Sequence, residues 1–191
     1  FQNDESIFSI NGYNYPIESS ILYKEDTYYK WTGFSAWGAG FWKNKYQKVD
    51  ISTNYVDRFL KNYNNIKLLY KYADHYFPGA VTTLYEKSLA GDTIFSMYQS
   101  ENSMLSVFPA ISKVRNYGHD GSGVHNLSLS DELFSNQKID NQKNFDFKHD
   151  ITSIDLNLLL KTFFKRSFKS KFYYSLKLLR KHIINFFKIS N

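Results

Sequence analysis

The sequence contains no cysteine and only three prolines, and none of its apolar runs approaches the length of a membrane-spanning helix. The absence of cysteine excludes disulfides and cysteine-ligated metals, and it fits a reducing compartment. A transmembrane helix needs about 18 or more consecutive apolar residues, so none is predicted. An Asp-x-Asp pair of the kind that binds a metal is also lacking. The adjacent acids at 25–26 and 131–132 lie in polar surroundings and are poor substitutes for it.

Aromatic residues are plentiful instead, with 16 Tyr and 17 Phe among 191 residues. The hydrophobic content of 42% is enough for the core of one domain. The net charge of +6 is uneven: residues 161–191 hold nine Lys/Arg and no Asp/Glu, which leaves 15 of the 24 basic residues and all 18 acidic residues elsewhere. The basic character therefore belongs to the C-terminal tail and not to the body.

Hydrophobic patterns predict both strands and helices. Alternation of apolar and polar residues predicts a strand at 7–10, and short strand-like runs predict further strands at 28–31 and at 104–108, the latter ending at Pro109. Apolar residues spaced by three or four predict a helix over 54–72, broken near Asn64 and Asn65. Pro78 and Gly79 are expected to end this region, and a second helix is predicted from about 81 to 99, interrupted at 90–92.

The segment 113–125 contains three glycines, two histidines, one aspartate and one arginine. A helix or a central strand would not tolerate this glycine density, so the segment is predicted to be a loop. Two interpretations fit the residue types. One is a surface turn with incidental histidines; the other is a loop that holds a metal or a phosphate. The spacing matches neither a Walker loop nor a dinucleotide fingerprint.

Three segments, taken in order, resemble a known family. They are IFSINGYNYPI (7–17), FSAWGAGFWKNKYQKVD (34–50) and SKVRNYGHDGSGVHN (112–126). They resemble bacterial family 2 glycosyltransferases of the GT-A fold, in which a strand and a "VFSISGYNxPI" loop, an "SSWGWATW" segment and a "GHDGSGxH" loop occur in this order. The second segment departs from that pattern at Ala39, Gly40 and Phe41.

The resemblance covers residues 1–126 and implies an α/β fold, the C-terminal, acceptor-side half of a GT-A domain. The polar composition of 127–154 predicts a linker, and the pattern of apolar and basic residues at 155–191 predicts an amphipathic helix. It implies transfer of a sugar from a nucleotide-diphosphate donor to a glycan or lipid-linked acceptor in surface polysaccharide biosynthesis, with inversion and in the cytoplasm. In the family the first strand lies mid-enzyme, so a nucleotide-binding half with an Asp-x-Asp is expected upstream of Phe1.

The resemblance also suggests roles for individual residues. Asp92 would be the general base that deprotonates the acceptor hydroxyl; alternatively it is only the N-cap of the following helix. His125, or otherwise His119, would bind the divalent metal, Mn²⁺ or Mg²⁺. Arg115 would pair with a phosphate or else form a surface salt bridge, and Trp37 would pack in the core or stack on a sugar. The other predicted substrate-binding residues are Gly38, Asn116, Gly118, Asp120, Gly121, Ser122 and Gly123.

The C-terminal tail carries one apolar helical stripe. Its members are spaced by three or four residues: Phe164, Phe168, Phe172, Leu176, Leu179, Ile183 and Phe187. Basic residues fill the rest of the helix, which suits the inner face of an anionic membrane. The alternative is a helix packed on the body or on a partner. Nucleic acid is not expected, since no binding module accompanies the charge. A competing function is a non-enzymatic membrane-associated interaction module, or an inactive transferase remnant.

Overall fold

A computed structural model of the protein describes residues 1–17, 26–87, 91–115 and 137–189. The described strands are β1 (Ile7–Asn11), β2 (Thr27–Trp31), β3 (Ala39–Phe41), β4 (Leu105–Pro109) and β5 (His149–Asp150). The described helices are α1 (Lys43–Tyr46), α2 (Thr53–Lys61), α3 (Tyr63–Tyr72), α4 (Phe77–Glu86), α5 (Gly91–Asn102), α6 (Ile154–Phe163) and α7 (Phe168–Ile189), with a 3₁₀ turn at Asp74–Tyr76. This mixed composition confirms the α/β class.

The strands form one mixed sheet in the order β3-β1-β4-β2-β5. The central strands β1 and β4 are parallel, and β3 and β2 flank them in antiparallel orientation. Inside the sheet the hydroxyl oxygens of Ser9 and Ser106 are 2.8 Å apart, and the Gln99 amide of α5 donates to Ser106. The strands predicted at 7–10, 28–31 and 104–108 are confirmed, each within one residue at its ends.

The segment predicted as a polar linker contributes to the sheet where it is described, from residue 137 onward. There β5 pairs with β2 in parallel orientation. Phe147 lies edge-on to Phe1, with ring centroids 5.1 Å apart, and to Tyr28, at 5.4 Å. Contacts made by single aromatic residues leave no period in the sequence, and for this reason the pattern of polar residues gave no sign of them.

Helices α2 to α5 share one hydrophobic core with the 3₁₀ turn and with Leu178 of α7. The break predicted at Asn64 and Asn65 falls instead at Asn62, which ends α2 and caps α3: its side chain accepts from the backbone N–H of Asn64 at 3.0 Å. Ser52 caps α2 in the same way, accepting from the N–H of Tyr55 at 3.2 Å.

The expectation that Pro78 and Gly79 end a helical region is wrong, because both lie in the first turn of α4. Proline is tolerated there, since the first N–H groups of a helix have no intrahelical partner. Gly79 lies against α5: a Cβ at this position would be 2.6 Å from Oγ1 of Thr93. The glycine therefore allows α4 and α5 to approach closely.

The predicted C-terminal helix is two helices. Ser153 caps α6 by accepting from the N–H of Leu156 at 3.1 Å, and α6 buries Leu156 and Leu160 in the cluster on the sheet that includes Phe108. Phe164 lies between the helices and stacks on Trp31, with centroids 5.2 Å apart, instead of extending the stripe of α7. Within the described ranges, no helix combines the length and the apolar character needed to cross a bilayer.

A buried lysine holds the N-terminal segment against the sheet. Lys45 in α1 is 1% exposed. Its Nζ donates to the carbonyl oxygens of Asp4 and Ile7, both at 2.6 Å, and to that of Phe1 at 3.3 Å. Three carbonyl acceptors thus replace the water that a charged ammonium group would otherwise bind.

Candidate functional site

The carboxyl ends of the parallel strands β1 and β4 bring the first and third motifs together. The backbone N–H of Lys113 donates to the carbonyl of Gly12 at 2.7 Å. The Asn14 side chain donates to the carbonyl of Ala110 at 2.6 Å, and its backbone N–H donates to Oγ of Ser112 at 3.1 Å. In open α/β sheets this is the edge where ligands usually bind.

The second motif joins the same junction through its glycine. The N–H of Gly12 donates to the carbonyl of Gly38 at 2.9 Å. Gly38 has a φ of +67°, and a Cβ there would be 2.6 Å from Cγ2 of Val114. A Cβ on Gly12 would be 3.0 Å from the same methyl group. Gly12, Gly38 and Val114 form what we call the motif junction, and its packing leaves no space for a side chain at Gly38.

Two aromatic rings lie beside the motif junction. Trp37 is 41% exposed, and its ring meets that of Tyr13 edge-on at 4.7 Å. Tyr13 is buried, and its hydroxyl has no hydrogen-bond partner among the described residues; the same holds for the side-chain nitrogen of Asn11. Burial raises the pKa of Tyr13 well above its usual range, so the hydroxyl stays protonated and able to donate.

The predicted glycine-rich loop starts at this edge, and the chain as described from residue 137 onward also contacts it. The guanidinium of Arg115 donates to the carbonyl of Gln137 at 3.2 Å, and the Gln137 side chain donates to the carbonyl of Asn14 at 2.5 Å. Lys113 pairs with the buried carboxylate of Asp140 at 2.7 Å. The other predicted residues of the loop lie outside the described residues: Asn116, Gly118, His119, Asp120, Gly121, Ser122, Gly123 and His125.

Asp92 lies in the first turn of α5, which as described begins at Gly91. It is therefore not at the N-cap position predicted as its alternative role, although its Oδ1 accepts from the N–H of Thr93 at 2.8 Å. Burial, and after it the Asp92 charge, raises the pKa of Tyr76 to about 12. The hydroxyl of Tyr76 donates to the carbonyl of Phe34 at 2.5 Å. Phe34 precedes Trp37 by three residues, so the tyrosine whose pKa Asp92 raises is bonded to the segment that carries Trp37.

A row of aromatic rings leads from Tyr15 to the motif junction. Asp92 also contributes, after burial and other groups, to the raised pKa of Tyr15. The Tyr15 hydroxyl donates to the carbonyl of Phe34 at 3.3 Å. The ring of Tyr15 meets that of Tyr13 edge-on at 5.6 Å, and Tyr13 in turn contacts Trp37. Ring contacts therefore join Tyr15, Tyr13 and Trp37, and the charge of Asp92 acts on the pKa of Tyr15 at one end of this row.

Metal ligands are not grouped in the part of the chain that the structure describes: no three His, Cys, Asp or Glu side chains there could hold one ion together. His75 stacks on Phe164 with centroids 4.2 Å apart and on Trp31 at 5.8 Å. Burial, and secondarily the charge of Arg166, lowers the pKa of His75 to about 3, so this imidazole is a neutral packing group. The predicted ligands His125 and His119 stay predictions.

Comparisons with protein-family models, with curated proteins and with solved structures find no match. The site therefore rests on its own geometry. Sequence reasoning did not select Tyr13, Asn14 or Ser112, which form much of this edge. The signals that could have found them were their positions within the first and third resembling segments, since the contacts themselves join residues about a hundred positions apart.

Proposed function

We propose that this protein is the acceptor-side part of a GT-A glycosyltransferase that transfers a sugar, with inversion, from a nucleotide-diphosphate donor to a glycan or lipid-linked acceptor. The observation that carries the proposal is the motif junction. Three segments far apart in the sequence, selected for resembling one family, meet at the carboxyl ends of the central parallel strands. Contact between Gly12, Gly38 and Val114 is what a shared site built from the three segments requires.

The aromatic pair beside the junction is suited to a sugar. A partly exposed indole such as that of Trp37 offers an apolar surface to the C–H face of a pyranose ring. The buried hydroxyl of Tyr13 and the side-chain nitrogen of Asn11 are hydrogen-bond donors without partners among the described residues. Buried polar groups are normally paired, so such donors favour a polar ligand at this edge.

The carboxylate of Asp92 is the proposed base. It takes the proton of the acceptor hydroxyl while that oxygen bonds to the anomeric carbon, and the bond from this carbon to the diphosphate breaks with its electrons leaving on the diphosphate. Arg115 and the loop at 116–123 are proposed to bind the diphosphate. Mn²⁺ or Mg²⁺, if held by His125 or His119, would neutralise the same charge.

Asp92→Asn is expected to reduce sugar transfer by roughly 100-fold or more, because a positioned general base contributes about that much. The measurement is release of nucleotide diphosphate by the full chain from a panel of nucleotide-diphosphate sugars, with oligosaccharide acceptors present or absent. Asp57→Asn is the matched control, since Asp57 is a surface carboxylate of α2 paired with Lys61. Equal turnover in the two variants would remove Asp92 from the mechanism.

Trp37→Ala is expected to weaken sugar binding about tenfold or more, because stacked rings of this kind contribute about 1–3 kcal/mol. Saturation-transfer NMR with the same donors and acceptors measures this binding without requiring turnover. Tyr63→Ala is the control, because Tyr63 is an exposed aromatic residue of α3. If both variants bind every sugar as the unaltered chain does, Trp37 is not part of a sugar site.

The absence of Asp-x-Asp from the sequence favours a second candidate, a glycan-binding module without catalysis. The two experiments separate the candidates. Binding that depends on Trp37 and is unchanged by Asp92→Asn, with no release of nucleotide diphosphate from any donor, supports the module. Release that depends on Asp92 supports the transferase.

A further inference from the structure

Helix α7 packs on the body through one face only. Leu178 is 7% exposed and joins the core of α2 to α5. The ammonium group of Lys171 pairs with the buried carboxylate of Asp74 at 2.5 Å. Tyr85 of α4 donates its hydroxyl to the carbonyl of Lys177 at 2.6 Å, and the Lys177 ammonium lies 4.5 Å from the Tyr85 ring centroid. The lysines of this face are thus engaged by the body.

The opposite face of α7 carries large apolar side chains that the body does not cover. They are between 47% and 81% exposed, although single-domain surfaces usually carry such residues singly. We call them the outer stripe: Phe168, Phe172, Leu176, Leu179, Ile183 and Phe187. Their spacing of three or four residues places them along one line of the 22-residue helix.

Exposed basic residues lie next to the outer stripe. By helical spacing Lys169 is adjacent to Phe172, and Arg180 is adjacent to Leu176 and Ile183. Both are exposed, and neither forms an ion pair within the described ranges. The whole of α7 contains no acidic residue. The surface is therefore apolar along its centre and positively charged at its edge.

We propose that the outer stripe of α7 lies in the interfacial region of an anionic phospholipid bilayer, with the helix axis parallel to the membrane plane. Apolar side chains would enter the boundary of headgroups and acyl chains, while Lys169 and Arg180 contact anionic headgroups. A second copy of the chain fits this face less well, because two such helices would bring like charges together with no carboxylate of α7 to pair them. This inference is independent of the proposed reaction.

Co-sedimentation of the full chain with vesicles tests the proposal. The vesicles are phosphatidylcholine alone or a mixture with phosphatidylglycerol. The unaltered chain is expected to bind the mixed vesicles and to dissociate at high salt. Phe172→Ser with Leu179→Ser should weaken binding about tenfold or more, and Lys169→Ser with Arg180→Ser about fivefold per charge. Tyr63→Ser and Lys67→Ser, on α3, are the matched controls and should bind as the unaltered chain does.

Because these side chains are exposed, the variants should fold, and unchanged circular dichroism and thermal melting verify it. Equal binding of the stripe variants and the controls would overturn the proposal. So would equal binding of the unaltered chain to both vesicle types. Sedimentation equilibrium tests whether a second copy of the chain binds the outer stripe instead. A dimer that forms without lipid and dissociates in the stripe variants would assign the outer stripe to self-association.

Discussion

Replacing Gly38 with alanine tests the packing of the motif junction. Two costs add at this position. A side chain at a φ of +67° costs about 1–2 kcal/mol. A Cβ 2.6 Å from Cγ2 of Val114 forces a displacement of the kind that costs about 1–3 kcal/mol in packed interiors. The lower entropy of the unfolded chain returns about 0.4–1 kcal/mol. We therefore expect Gly38→Ala to reduce the free energy of unfolding by about 1–5 kcal/mol, with a central value of about 3 kcal/mol.

Urea unfolding followed by circular dichroism measures this loss. Gly40→Ala is the matched control: Gly40 lies two residues away in β3, and the nearest atom to an added Cβ is the carbonyl oxygen of Ile10 at 3.8 Å. This variant should change stability by less than about 1 kcal/mol. Equal losses in the two variants would refute the assigned packing of Gly38.

A double-mutant cycle separates the two costs. Val114→Ala removes the methyl group that the new Cβ would meet. In the Gly38→Ala background it should recover the steric part, giving a coupling energy of about 1–3 kcal/mol, while the backbone part remains. Strictly additive effects would mean that Gly38 and Val114 are not in contact in solution.

Two further predictions concern buried ionisable side chains, Lys45 and His75. Lys45→Met keeps the side-chain volume but removes the donor to three carbonyls, so it should lower the free energy of unfolding in urea by about 2–4 kcal/mol. Lys43→Met is the control, because Lys43 is exposed on the same helix, and it should leave stability unchanged. His75 stays neutral in the folded state down to its pKa of about 3 but is protonated in the unfolded chain below pH ~6.5. Stability is therefore lost as pH falls between these values, by up to about 1.4 kcal/mol per unit, and His75→Phe should remove this part of the loss in melts recorded across that range.

Local sequence predicted the strands well, because β1, β2 and β4 are short runs of mostly large apolar or aromatic residues that are buried on both faces of the sheet. The ends of helices were harder to predict. Pro78 in the sequence suggests the end of a helix, yet proline is equally suited to the first turn of one. The apolar spacing predicts one helix over 54–72 and gives no special weight to Asn62. The Asn62 side chain nevertheless caps α3 and so decides where that helix begins. A single capping hydrogen bond is not visible in a hydrophobic period.

The site was predictable only as a set of segments. The resemblance selected Trp37, Gly38 and the loop after Lys113, and the structure brings the described members together. The role of Gly38 was not apparent from its sequence neighbours, because the group that requires a glycine there is the side chain of Val114. Asn14 and Ser112 are ordinary loop residues until the parallel pairing of β1 and β4 makes them neighbours.

The pairing of β1 with β4 also has consequences for how the chain folds. Ser9 and Ser106 are separated by 97 positions, so these strands meet only after a large loop has closed. Helices α2 to α5 lie within that loop and pack mainly on one another. Two residues after α5, the chain enters β4. We expect the helices to associate first, shorten the effective loop and deliver β4 to β1, so that core substitutions in α4 or α5 slow folding more than those at the edge strand β5.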